Sequence, residues 1–355
     1  MKIIARVMTA GLFVFAISSC NSSAAPTASE IKVPTGFRAT IFATGLNRPT
    51  ALAFGPSNRL YVGQQNGDIV ALKDDNGQGT DAKTIAQVGG SLLGLAFRPN
   101  ARELFASVTG KVLMLRQSDD IRFADPTIIA NGLPTGRHQN DQIAFTPDGN
   151  FFFIGIGSTC DACIEKDSRS ATIMQISADG KTQQVYARGL RNPFGLALNP
   201  QTNELFATDN GRDDPGSGVP DELNVITQNG NYGWPACWGS GQGSNCSGTI
   251  FPIAELQEHS SADGFAFYSG TNFPSEYRGN VFVALWGGNF PIPTIGKRVD
   301  RIVLNQVGNK WQGTVSEFAS GFDHPLAVAI NPRDGALLIA DHGSGKIYRI
   351  VWVGQ

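Results

Sequence analysis

One histidine sits where it could act as a base. It is His138, in "PTGRHQNDQIAFTPDGNFFFIGIGS", Pro134 to Ser158, just ahead of a strand-turn-strand pattern. The chain has only 4 histidines in 355 residues, so the position stands out. Imidazole titrates near neutrality and can take the proton of a hydroxyl. A plain loop histidine is the competing reading. A second stretch, "DNGRDDPGSGVPDE" from Asp209 to Glu222, combines oxygen donors with turn residues. That is calcium-ligand chemistry, and equally the composition of a solvated acidic insertion. The third candidate is "CDAC", Cys160 to Cys163. The next residue is Ile164, not histidine, so c-type haem attachment fails, and no helix pattern follows to make a thioredoxin-like site. With Cys237 and Cys246 these make four cysteines after the leader. In an exported chain two structural disulfides are the default, and proximity favours Cys160–Cys163 and Cys237–Cys246 among the possible pairings.

The elements that must position these residues come from a repeat. Its units begin at "RPTALAFGPSNRLYVGQQNGDIVAL" (Arg48), "SLLGLAFRPNARELFASVTGKVLML" (Ser91), "QNDQIAFTPDGNFFFIGIGS" (Gln139), "RNPFGLALNPQTNELFATDNG" (Arg191), "SADGFAFYSGTNFPSEYRGNVFVALWGG" (Ser261) and "HPLAVAINPRDGALLIADHGSGKIYRI" (His324). Each reads as strand, Pro-Asp/Asn-Gly turn, strand, glycine turn, strand. Proline presets φ, and glycine or asparagine supplies the positive φ of the turn. One unit cannot bury both faces, but six in a ring can, which predicts an all-β, six-bladed β-propeller. "GFRATIFATGL", Gly36 to Leu46, is a strand left over before the first unit. It is expected to complete the last blade beside "KIYRIVWVG" and close the ring. One domain then runs from residue 31 to 355. The long insertions Gly157–Arg169, Asn210–Glu222, Tyr232–Glu258 and Trp286–Arg298 mark the expected functional face.

The formal net charge is −2, so nothing points to nucleic acid or to a polybasic membrane surface. Residues 1–20 read as targeting: Lys2 and Arg6, a short apolar run, then "ISSC". That ending resembles a bacterial lipobox with Cys20 as the lipidated residue. Residues 21–30, "NSSAAPTASE", read as a flexible tether. The expected location is the bacterial cell envelope, lipid-anchored and facing the periplasm or the exterior.

The stretches "RHQNDQIAFTPDG", "GLRNPFGLALNPQTNELFATDNG", "DELNVITQNGNYGWP" and "FPSEYRGNVFVAL" resemble the soluble sugar dehydrogenases that depend on pyrroloquinoline quinone (PQQ). They are most similar to the glucose/sorbosone dehydrogenase lipoproteins, over nearly all of the mature chain. The resemblance implies oxidation of an aldose or related sugar, with an external acceptor taking the electrons onward. His138 would take the hydroxyl proton, and hydride would pass to the quinone. Arg191 and Ca²⁺ would polarise the quinone carbonyl, Asn192 and Lys297 would contact the cofactor, and backbone carbonyls of Gly211 and Arg212 would hold the calcium. Cations facing the developing negative charge favour the transition state.

Two departures from the family stand out. Gly89 and Gly90 occupy the place of a sugar-contacting glutamine and asparagine, and His324 and Leu326 that of two arginines that meet the quinone carboxylates. Charge-assisted bidentate contacts are the strong ones, so the cradle is weakened. Trp234, Trp238 and Trp286 are candidates for stacking on a ring, and His259 for touching a substrate. Two alternatives stay open. One is a non-catalytic cell-surface propeller that binds carbohydrate or protein. The other is a calcium-dependent lactonase or esterase using Asp209, Asn210 and Asp341, for which no matching acids are apparent on the other blades.

Overall fold

Strands of alternating apolar and small residues, separated by glycine and Asx turns, pair mostly with their neighbours in sequence. The computed structural model describes residues 25–213, 218–288 and 295–354. It contains six antiparallel blades, five of four strands and one, blade 2, with a short fifth strand, which confirms the propeller. The first, innermost strands of blades 1 to 6 are Pro49–Phe54, Leu92–Phe97, Asn140–Phe145, Leu196–Leu198, Ala262–Phe267 and Pro325–Ile330. Each packs against the next around the axis, and that of blade 6 against that of blade 1. Approach at the axis is close: a Cβ on Gly264 would lie 2.7 Å from the Leu326 carbonyl oxygen of the next blade.

Blade 6 is completed by the N-terminal strand Phe37–Ala43, paired antiparallel with Lys346–Trp352 in the register Phe37↔Trp352. The ring therefore closes as the leftover strand predicts. Six apolar clusters fill the six gaps between neighbouring blades. In the gap between blades 5 and 6, Phe37 makes edge contacts with Phe273, Phe318 and Trp352. Burying such a ring contributes about 1.5–3 kcal/mol.

The inner strands share an irregularity. Register shifts fall between Pro49 and Ala51, Leu92 and Gly94, Asn140 and Ile143, Ala262 and Phe265, and Pro325 and Ala327. Residues left out of the pairing there, Thr50, Leu93, Asp141, Asp263 and Leu326, line the channel cavity. A bulge re-aims a side chain that regular pairing would send into a blade face. The inner strand of blade 4 is short and unbulged, and Phe194 just before it lines the cavity instead.

The targeting segment with Cys20 lies outside the described residues, as do residues 21–24 of the expected tether. The rest of the tether is a correction. Thr27 bridges to Thr40, and Ala28 N–H donates to the Ala39 carbonyl at 3.1 Å. Ala28 is buried, and Glu30 accepts from Lys346 Nζ and the Tyr348 hydroxyl, both at 3.0 Å. The polar composition hid two anchors: an apolar residue small enough for the gap between blades 5 and 6, and a carboxylate with two donors waiting. Both expected disulfides, Cys160–Cys163 and Cys237–Cys246, are formed.

Candidate active site

A cavity of about 640 Å³ opens at the end of the channel where the inner strands begin. Small-molecule sites commonly have volumes of about 300–1,000 Å³. His138 stands in its wall, two residues before the blade 3 inner strand. Its backbone N–H donates to the Ser158 carbonyl at 3.1 Å. Its ring Nδ1 lies 3.0 Å from Ser158 Oγ and 3.2 Å from the Ser158 carbonyl oxygen. Ser158 Oγ itself donates to the Cys160 carbonyl at 2.6 Å. Both neighbours of Nδ1 are therefore acceptors, so Nδ1 carries the proton and Nε2 keeps its lone pair. Burial first, then the charges of Arg191 and Arg137, lower the pKa of His138 to about 3. The imidazole is neutral at every pH near 7.

Arg191 is placed differently from the expectation. It does not line the cavity and is 4% exposed. Its Nε and one terminal nitrogen donate to Asp161 Oδ1 at 3.1 and 2.7 Å. The same terminal nitrogen reaches Asp213 at 3.0 Å, and the other donates to the Asn210 carbonyl at 3.2 Å. Asp161 also accepts the Asp213 N–H, and its carbonyl accepts the Trp234 indole N–H at 3.0 Å. Trp234 is thus a strut for this cluster. The cluster draws on three of the four insertions, with Asp161, Asp213 and Trp234 each from a different one.

Asn192 does line the cavity, with its backbone N–H on Asp209 at 2.7 Å and its Oδ1 buried without a partner. Gly211 and Arg212 lie off the cavity lining. The Gly211 N–H donates to Asp221 at 2.9 Å, and the Arg212 guanidinium packs 5.0 Å from the Trp238 ring and bonds the Pro235 carbonyl. Lys297 is also off the lining, with Nζ 3.9 Å from Asp323. His259 Nδ1 lies 3.5 Å from Asp213, at the edge of the ion cluster. Trp286 faces the cavity, with the His324 ring 4.2 Å away.

The acids offered for lactonase chemistry are used otherwise. Asp209 accepts the N–H groups of Arg191 and Asn192, and Asp341 those of Asp323 and His324. The carboxyls that do face the channel are Asp141 and Asp263, which sequence reasoning passed over. It also passed over Ser158, Asp161, Gln65 and His342, the last two joined at 3.1 Å across the cavity wall. Aligning the repeat units would have put Thr50, Leu93, Asp141, Asp263 and Leu326 in one column.

The glucose/sorbosone dehydrogenase family model matches residues 46–292. The chain belongs to this family. An aldose sugar dehydrogenase of Escherichia coli K12 is 25% identical, over 86% of this chain and 90% of that protein. An uncharacterised protein of Borreliella burgdorferi is 26% identical, over 96% of this chain and 95% of its own length. A glucose dehydrogenase-type oxidoreductase of Thermus thermophilus superposes with a TM-score of 0.72 at 25% identity, over 89% of this chain and all of that one. The PQQ-bound aldose sugar dehydrogenase of Streptomyces coelicolor, at 24% identity and a TM-score of 0.69, shares the fold. In this member of the family, then, His138 stands on the cavity and Arg191 off its lining. Among the described residues no helix is long and apolar enough to cross a membrane.

Proposed function

We propose that this glucose/sorbosone dehydrogenase oxidises the carbinol carbon of an aldose or related sugar, with PQQ as acceptor. The observation that carries the reading is the neutral His138 imidazole, its Nδ1 proton committed to Ser158 and its Nε2 available in a cavity of ligand size. The substrate gives up a hydroxyl proton and, from the same carbon, a hydride; an aldose leaves as its lactone. His138 Nε2 receives the proton. The same burial and the same arginines that keep the ring neutral also make it a weak base, so it takes the proton in concert with the departure of the hydride and not ahead of it. A bound quinone would supply the two-electron acceptor for the hydride.

The residues present suit such a group. Arg137 brings a cation to the rim of the cavity, where a carboxylate can meet it, and Trp286 offers a ring face. These would hold the quinone. Carbonyls of Gly211 and Arg212 are the proposed calcium ligands, because this loop carries the oxygen-rich sequence. The envelope location with Cys20 lipidated is part of the same proposal, and two disulfides support an oxidising compartment.

The test is a titration of purified residues 21–355 with PQQ in Ca²⁺, followed by dye-linked assay on a panel of aldoses. Wild type is expected to bind quinone saturably and reduce dye. His138→Asn is expected to bind quinone and reduce none. A folded wild type that binds no quinone would overturn the reading.

A further inference from the structure

The carboxyls buried around the channel nearly all have their donors inside the fold. Asp221 accepts from the N–H groups of Gly211 and Ala262 and from the Ser260 hydroxyl. Glu222 accepts from the Gly239 N–H and from Asn224. Asp263 is met by Asn210 Nδ2 at 3.2 Å and by the Ser261 hydroxyl at 3.4 Å. Asp141 is the exception. It is 1% exposed, and its Oδ2 has no partner among the described residues. Buried polar groups are otherwise almost always satisfied, and a partnerless buried carboxyl asks for a ligand.

Its surroundings say which kind. Asp141 and Asp263 both line the channel cavity, each put there by a bulge in its inner strand. Burial and then the neighbouring Asp263 push the Asp141 carboxyl well above its ordinary range, so as anions the two repel. A third buried oxygen, Oδ1 of the cavity-lining Asn192 just ahead of blade 4, is independently without a partner. The Ser261 hydroxyl, 3.4 Å from Asp263, adds a neutral oxygen. Arg191 brings no compensating charge into the cavity, because Asp161 and Asp213 hold it.

We propose that Asp141 and Asp263, with the amide oxygen of Asn192, hold a divalent cation of the calcium type at the floor of the channel. Two carboxylates that face the channel from blades 3 and 5, neutral oxygens and no thiol make a donor set for a hard cation, with water filling the remaining positions. The cation removes the repulsion between the two carboxylates and supplies the partner that Asp141 lacks. The site is distinct from the Gly211–Arg212 loop, which does not line the cavity. It stands without the sugar-oxidation reading.

The experiment uses the chain stripped with chelator, with no quinone and no sugar. Ca²⁺ binding is measured by calorimetry, and melting temperature with and without saturating Ca²⁺, for wild type, Asp141→Asn and Asp263→Asn. Wild type is expected to bind one more Ca²⁺ than Asp141→Asn, or to bind it at least roughly tenfold more tightly. In chelator Asp141→Asn is expected to melt above wild type, because it replaces a partnerless carboxyl with a neutral amide. In Ca²⁺ that order is expected to reverse. Equal Ca²⁺ stoichiometry and affinity in wild type and a cooperatively folding Asp141→Asn would overturn the proposal. So would a melting difference that follows pH and ignores Ca²⁺, which would mean that the two carboxyls share a proton.

Discussion

Replacing Asp161 with alanine tests the ion cluster behind the cavity. The Arg191 side chain is 5% exposed, and Asp161 gives it two of its charge-assisted contacts, at 3.1 and 2.7 Å. Stranding one member of a fully buried ion pair costs about 3–5 kcal/mol. Here Asp213 still holds one end at 3.0 Å, and the Asp161 side chain is itself 17% exposed. The expected loss is therefore about 2–3 kcal/mol. With an unfolding entropy of about 2 cal/mol/K per residue, that lowers the melting temperature of a chain this size by about 3–4 °C. Calorimetry in moderate salt reads it directly. The Asp161 loop is tied by Cys160–Cys163, so reducing that bridge should produce part of the same loss in wild type and less in Asp161→Ala. A variant melting within about 1 °C of wild type would refute the reasoning, because Asp213 and the Asn210 carbonyl would then suffice for Arg191.

Other outcomes follow from the same geometry. His138 has its pKa lowered to about 3 from 6.5, so between those values the unfolded state binds more protons than the folded one. Its contribution to stability is complete above pH 6.5 and is lost as pH falls toward 3; urea melts at pH 5 and pH 7.5 should differ less in His138→Asn than in wild type. Gly264→Ala places a Cβ 2.7 Å from the Leu326 carbonyl oxygen, and the overpacking should cost about 1–3 kcal/mol in a denaturant melt. Phe37→Ala empties the gap between blades 5 and 6 and should cost about 3–5 kcal/mol, with a lower melting temperature, because the ring-closing strand loses its main apolar anchor.

The propeller is legible in the sequence because its signals are local. Turn chemistry and strand alternation recur six times, and "GFRATIFATGL" has nowhere else to pair. The disulfides follow from proximity and compartment. His138 is legible as a histidine ahead of an inner strand. Asp141 and Asp263 were not, for a physical reason: a bulged residue breaks the period-two alternation and looks like noise in it. Asp161 was hidden between two cysteines that drew the reading toward thiol chemistry. Arg191 was expected to polarise a quinone carbonyl; in the structure acids from loops 30 and 22 residues away hold it, and no local pattern announces them. The tether misled because Ala28 and Glu30 find partners only across the closed ring.

The bulges also bear on how such a ring can change over generations. A residue held outside the strand pairing has no cross-strand neighbour whose fit it must preserve. At one equivalent place five blades carry threonine, leucine, aspartate, aspartate and leucine, while the paired residues on either side keep the blade intact. The channel is then a set of interchangeable fittings in a fixed frame. A lineage can exchange an acid for an apolar side chain there, and so alter what the cavity accepts, without first finding a compensating substitution in the sheet.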